Sequence, residues 1–337
     1  MINISNILES EKDNLTKSMD EPLIKSKNRF VIFPIQCPEL WEMAETHIKT
    51  FWTTSEIDLT IDLKDWIKLN INEQKFIKHV LAFFAASDGI VMENLALRFF
   101  TDVELPEART FYSMQILIES IHSITYSQLI ETYILDSNEK NMLFNAISTI
   151  PTIKKKGEWA AKWINSDERF AVRLVAFAIV EGVFFSGSFC CIYWLNESGR
   201  MPGLCKSNEF IARDEGLHTD FACLLYKKYI VNKLSDQELY NIVSEAVDIE
   251  TEFITDALPC DLLGMNSNLM KTYIKFVANR IVLQLGHVEI YPNIHQPFGF
   301  MDRICLENKT NFFESRVSEY QKDISSAVNK FTISENF

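Results

Sequence analysis

Turn-forming residues are scarce, with 10 glycines and 9 prolines in 337 residues, about half the usual share of roughly 12%. Sandwiches, barrels and doubly wound sheets turn every ten or so residues, often through glycine, so the shortage points toward long helices instead. Positive charge is short as well. Lys and Arg number 33 against 46 Asp and Glu, a formal net charge of −13. A nucleic-acid backbone would be repelled, and the one basic run, Lys154-Lys155-Lys156, is too short to reverse that. Neither GxGxxG nor GxxxxGK[ST] occurs, so no phosphate cradle is in view. The seven cysteines lack CxxC spacing and sit in apolar stretches such as Phe189-Cys190-Cys191-Ile192, which reads as buried free thiols in a reducing compartment. The polar start of the chain has no apolar signal-peptide core, so a cytoplasmic location is expected.

What is present is core-forming material, 47% of residues in the hydrophobic set. Residues 1–28 mix Ser, Asn, Lys, Asp and Glu without helical period and read as a flexible tail. A helical domain is expected over 29–310 and a second flexible tail over 311–337. Helix-like patterns cover about 39–52, 72–101, 106–135, 138–149, 168–195, 206–230, 235–257 and 267–287. Pro106, Pro151, Pro202 and Pro259 fall between them, where helix-breaking residues belong.

Two of these helices are apolar nearly all round. Leu174 to Leu195 carries one charge, Glu181, and Val80 to Ile90 carries one, Asp88. The first is long enough to cross a bilayer. It is solitary at that length, however, and contains Ser186, Gly187 and Ser188, so burial in a bundle is expected and membrane insertion is not. An ionised carboxylate in such a core costs several kcal/mol unless compensated, and no Lys or Arg lies within a turn of either acid. A metal ion would compensate it; so would protonation or hydrogen bonding.

Glu-x-x-His occurs twice, at Glu119–His122 and Glu215–His218, each in a helix-like segment. That spacing puts a carboxylate and an imidazole one turn apart on one face. With 29 Glu and 6 His, chance alone yields about half a match, so the pair of motifs is only suggestive alone. Joined to the two orphan acids, it becomes the four-helix dinuclear pattern known for ferritin-like carboxylate proteins. Four carboxylates and two imidazoles suit iron or manganese. The remaining histidines, His47, His79, His287 and His295, have no such partner and read as surface or structural. Tyr126 shares the helix face of Glu119 and His122. Phe185 and Phe189, four and eight after Glu181, and Ile211, four before Glu215, should face the same centre and form an apolar sleeve.

The stretches FAASDGIVMENLALRF, IESIHSITYSQLIETYI, AFAIVEGVFFSGSF, IARDEGLHTDFACLLY and KTNFFESRVSEYQ resemble the small, radical-generating subunit of class I ribonucleotide reductase, of the eukaryotic and viral type, over roughly residues 29–323. The resemblance implies an all-α, ferritin-like bundle whose two iron ions, forming a di-iron-oxo centre with manganese possible, are held by Asp88, Glu119, His122, Glu181, Glu215 and His218. It implies a dioxygen-dependent tyrosyl radical on Tyr126, with Phe185, Phe189 and Ile211 around it. Trp52 and Asp214 match a pair that hydrogen-bonds toward His122 and moves an electron and proton, and Tyr320 matches the relay to the large subunit. Phe331, Ile333 and Phe337 match the docking peptide for that subunit, although the family's tail is usually longer and more acidic inside. The implied partners are a second copy of the chain and the large subunit, with no nucleic acid and no membrane. An iron-oxidising or storage protein of ferritin type, an inactive paralogue supporting a heterodimer, and a purely structural helical protein are the alternatives.

Overall fold

The computed structural model describes residues 29, 31–164, 166–257, 265 and 267–301. The expected tails, with Tyr320, Phe331, Ile333 and Phe337, lie outside the described residues. Two units are present. Residues 1–295 hold all the helices discussed below, and of 296–337 only 296–301 are described. No strand occurs among the described residues.

The α-helices of seven or more residues are α1 (Pro38–Lys49), α2 (Thr60–Trp66), α3 (Ile71–Asn94), α4 (Pro106–Tyr133), α5 (Ser137–Phe144), α6 (Pro151–Ile164), α7 (Phe170–Ile179), α8 (Ser186–Glu197), α9 (Pro202–Tyr229), α10 (Asp236–Ala257) and α11 (Ser267–Leu285). Sequence patterning anticipates most of them. It misses α2, a two-turn helix too short for a periodic signal, and α6, whose lysine run interrupts the apolar pattern. Four elements make the central bundle: α3 packs on α4, α7 with its continuation packs on α9, and α9 closes against α4. Phe111 of α4 and Phe221 of α9 stack at 3.7 Å between ring centroids and seam that junction.

Two helical runs, Ile71–Asp102 and Phe170–Glu197, are long and apolar enough to cross a membrane. In the second, 94% of the most apolar stretch is buried inside the fold, so that surface is taken up by protein. Between α7 and α8 the run widens into a π turn, Val180–Phe184, which contains Glu181. Wide turns leave carbonyls without helical partners. Here the Phe184 carbonyl accepts from Lys156 Nζ at 2.7 Å. Lys156 is buried, lies 2.5 Å from Glu250 Oε2 and sits over the rings of Phe83 and Phe253 at 3.5 and 3.7 Å. Burial pushes this lysine down to about 8, and burial pushes Glu250 up to about 7 against the pull of Lys156. One lysine of the basic run is therefore a core residue.

Helix α9 needs its start fixed because it carries the second Glu-x-x-His. The buried Asp62 of α2 accepts from the backbone N–H groups of Gly203 (2.8 Å) and Leu204 (2.7 Å), and from the Tyr133 hydroxyl (2.5 Å). Two of the unpaired N–H groups at the helix start are thereby satisfied, and the negative charge sits where the helix dipole favours it. A Cβ at Gly203 would lie 2.6 Å from the Asp58 carbonyl oxygen and 2.8 Å from Leu59 Cδ2, so only glycine permits this approach. Gly216 on the same helix would meet nothing within 4 Å. Gly203→Ala should therefore destabilise the chain by about 1–3 kcal/mol, while Gly216→Ala should leave it unchanged or stabilise it by up to about 1 kcal/mol. Urea denaturation of the two metal-free variants checks both; equal midpoints would contradict the packing account.

Candidate metal centre

The bundle brings Asp88 from α3, Glu119 and His122 from α4, Glu181 from the π turn, and Glu215 and His218 from α9 to one place, none more than 2% exposed. Their donor atoms form two overlapping sets. Asp88, Glu119 and His122 make one, and Glu119, Glu181, Glu215 and His218 make the other, with the atoms of each set within 4.8 Å of one another. Glu119 belongs to both. Glu215 also spans them, with Oε1 3.2 Å from His122 Nδ1 and Oε2 3.0 Å from His218 Nδ1. Two shared carboxylates between two half-sites suit a pair of cations rather than one.

The donors are also left unsatisfied in the way a metal would correct. Both oxygens of Asp88, Glu119 Oε1, Glu181 Oε2, Glu215 Oε1 and His122 Nδ1 are buried without a hydrogen bond. Orphaned polar atoms at this density are abnormal in a native core. Among the described residues, the cations within ion-pair distance of these four carboxylates are the two imidazoles. Burial first, then Glu119, pushes Asp88 well above the carboxylate range. Burial and Glu215 do the same to Glu181. Glu215 goes the other way: burial opposes its charge, but Glu181 and the two neighbouring imidazoles more than offset it. Burial likewise opposes charge on His122 and His218, yet the surrounding carboxylates hold both well above the ordinary imidazole value.

Around this cluster the structure brings together most of the other sequence candidates. Tyr126 is 2% exposed, and its hydroxyl has no hydrogen-bond partner. Burial, then the charge of Asp88, pushes its phenol well up. The ring stacked on it at 4.7 Å is Phe84, against which Phe185 and Phe189 pack at 5.5 and 5.3 Å. Ile211 is fully buried on α9. Trp52, also fully buried, donates from Nε1 to Asp214 Oδ2 at 2.7 Å, and the same oxygen lies 3.2 Å from His122 Nε2. The indole and the His122 ring stack at 6.0 Å.

The family model described as ribonucleotide reductase, small chain, matches residues 29–297. A ribonucleoside-diphosphate reductase small chain of Trypanosoma brucei brucei is 58% identical over 305 residues, 90% of each chain. One from variola virus is 56% identical over 321 residues, 95% of this chain and all of that one. The chain belongs to the ribonucleotide reductase small-chain family. Among solved structures, the Rnr4 homodimer of Saccharomyces cerevisiae superposes with a TM-score of 0.79 at 33% identity, covering 94% of this chain and 98% of that one.

As a reductase small chain, the protein is one part of an oxidoreductase completed by a large subunit, and its ferritin-like bundle carries the family's dinuclear metal site. Four residues beside that site escape the sequence reading. Phe84, four before Asp88, carries the same spacing signal that finds Ile211 before Glu215. Gln115, four before Glu119, donates to Glu181 Oε1 at 3.2 Å. Arg213 holds Asp214 Oδ1 at 2.9 Å and the Thr50 carbonyl at 2.8 Å. His47 is the correction among the histidines. It is buried, and its Nε2 lies 2.9 Å from Nε2 of His218. Nothing local to residue 47 predicts this, because the partner is 171 residues away.

A metal must displace whatever protons the raised groups hold. Asp88 and Glu181 retain theirs above the ordinary 3.8 and 4.5, and the raised His122 and His218 remain charged above 6.5. Cation uptake should therefore release protons, and apparent affinity should climb as pH rises from weakly acidic to neutral. Anaerobic ferrous titrations at several pH values, with proton release followed in weak buffer, check this; affinity independent of pH and no proton release would contradict it.

Proposed function

We propose that the six ligands hold two iron ions, manganese being the other metal the donor set suits, and that Tyr126 is the residue oxidised to a stored radical. The observation that carries this reading is the pairing of unsatisfied ligand atoms with an equally unsatisfied phenol beside them. Hard oxygen donors dominate the set, and carboxylates can span two cations. When bound, the metals supply one-electron oxidising power drawn from dioxygen. The protein's own contribution is positioning and exclusion. Tyr126 would give its electron to the bound metals and its hydroxyl proton to the carboxylate cluster, where Asp88 is the charge its phenol feels most, so no net charge is created among Phe84, Phe185 and Phe189. A sleeve of packed, buried aromatic rings denies the radical a nearby reductant.

The hydrogen bonds from His122 through Asp214 to Trp52 are unbroken. Arg213 occupies Oδ1 of Asp214 and leaves Oδ2 for both neighbours. That arrangement supports Trp52 and Asp214 as the exit for an electron with a charge-compensating proton, handed on by Tyr320. Phe331, Ile333 and Phe337 are proposed to anchor the tail on the large subunit, two copies of this chain forming the small-subunit dimer. A peptide that orders on binding gains modest affinity from a few apolar anchors. Reduction of ribonucleotides then takes place on the partner, and this chain is inactive alone.

Electron paramagnetic resonance after ferrous iron and oxygen should show a tyrosyl signal that Tyr126→Phe abolishes while the di-iron absorbance remains; a surviving radical in that variant would overturn the assignment. A chain that binds both metals yet never forms a radical would instead be the inactive paralogue. Deleting residues 331–337 should abolish turnover with the large subunit and leave metal content unchanged, and undiminished turnover would refute the docking role.

A further inference from the structure

His218 reaches the cluster through one nitrogen only. Its Nδ1 is 3.0 Å from Glu215 Oε2, 3.1 Å from Glu119 Oε1 and 3.6 Å from Glu181 Oε2. Its Nε2 points the other way, at Nε2 of His47, 2.9 Å off. Two imidazole nitrogens at this distance cannot both carry hydrogen, nor can both present lone pairs. If Nδ1 gives its lone pair to a cation, the ring hydrogen is on Nε2, and His47 must accept it. His47 then holds its own hydrogen on Nδ1, a buried atom without a partner. The ring is kept in place between His218, at 5.0 Å, and Phe111, at 5.1 Å between centroids.

The other ligand imidazole is treated differently. Nδ1 of His122 faces Glu119 at 3.5 Å and Glu215 at 3.2 Å, while its outer Nε2 faces the carboxylate of Asp214. A carboxylate partner makes an imidazole a stronger donor to a metal than a neutral imidazole partner does. Resting on the proposed dinuclear reading, we infer that His47 is a positioning residue for His218: as neutral acceptor it fixes the ligand's tautomer and ring orientation and strengthens it as a donor, though less than Asp214 strengthens His122, so the two metals are inequivalent. Helix α1 thus takes part in both halves of the site, with His47 inside it and Trp52 just beyond its end.

The test compares His47→Met, which fills the space without a comparable acceptor, with His47→Gln, whose amide oxygen can replace it. Anaerobic titration with isotopically enriched ferrous iron, read by Mössbauer spectroscopy, should give two ions per wild-type chain with two distinct sets of lines. In His47→Met one ion should bind about 10- to 100-fold more weakly, with only its lines altered, and His47→Gln should restore most of the loss. Two ions at wild-type affinity with unchanged lines in His47→Met overturn the inference while leaving the dinuclear reading intact. A wild-type chain that binds no iron overturns both. Independent of any variant, nitrogen-15 resonances of the zinc-loaded wild-type chain should show His47 protonated at Nδ1 and bare at Nε2; the reverse tautomer refutes the role.

Discussion

Four carboxylates and two imidazoles share one buried core, and among the described residues no lysine or arginine pairs with these acids. Left to themselves these groups can lower their cost only by holding protons, as the raised Asp88 and Glu181 do. Divalent cations remove the same cost and use the lone pairs that protons leave idle. The metal reading therefore follows from a charge that the fold itself leaves unbalanced. Proximity of acidic residues on a surface would carry no such weight.

Much of the remaining architecture keeps that core in register. Asp62 fixes where α9 starts and hence where Glu215 and His218 sit along it. Lys156 stabilises the widened turn that aims Glu181, and takes its own balancing charge from Glu250 on α10. Arg213 ties the end of α1 to Asp214, so Trp52 and His122 meet at one oxygen. Each device is a buried or half-buried polar group with a defined partner. Secondary structure alone would not place six donors within reach of two cations.

Most of the helices, and the convergence of the four acids and two histidines, are legible in the chain because helical periodicity and one-turn spacing are local quantities, and a lone acid in an apolar run announces itself. Phe84 and Gln115, four before Asp88 and Glu119, are legible by the same i−4 rule. His47 and Arg213 differ in kind. They act through contacts spanning 171 and 163 residues, and no window along the sequence contains both partners. Nothing local separates Lys156 from its exposed neighbours Lys154 and Lys155; its buried partner Glu250 is supplied by a helix almost a hundred residues later. α6 was lost with it, since the lysine run masks the buried face formed by Ile153, Lys156, Trp159 and Ala160.

The central claim is that the unbalanced core is a two-cation site. Anomalous diffraction at the iron or manganese edge, on crystals of the metal-loaded chain, tests it most directly. Two peaks are expected, one bounded by Asp88, Glu119 and His122 and the other by Glu119, Glu181, Glu215 and His218. A single peak, or peaks at other residues, would contradict the account.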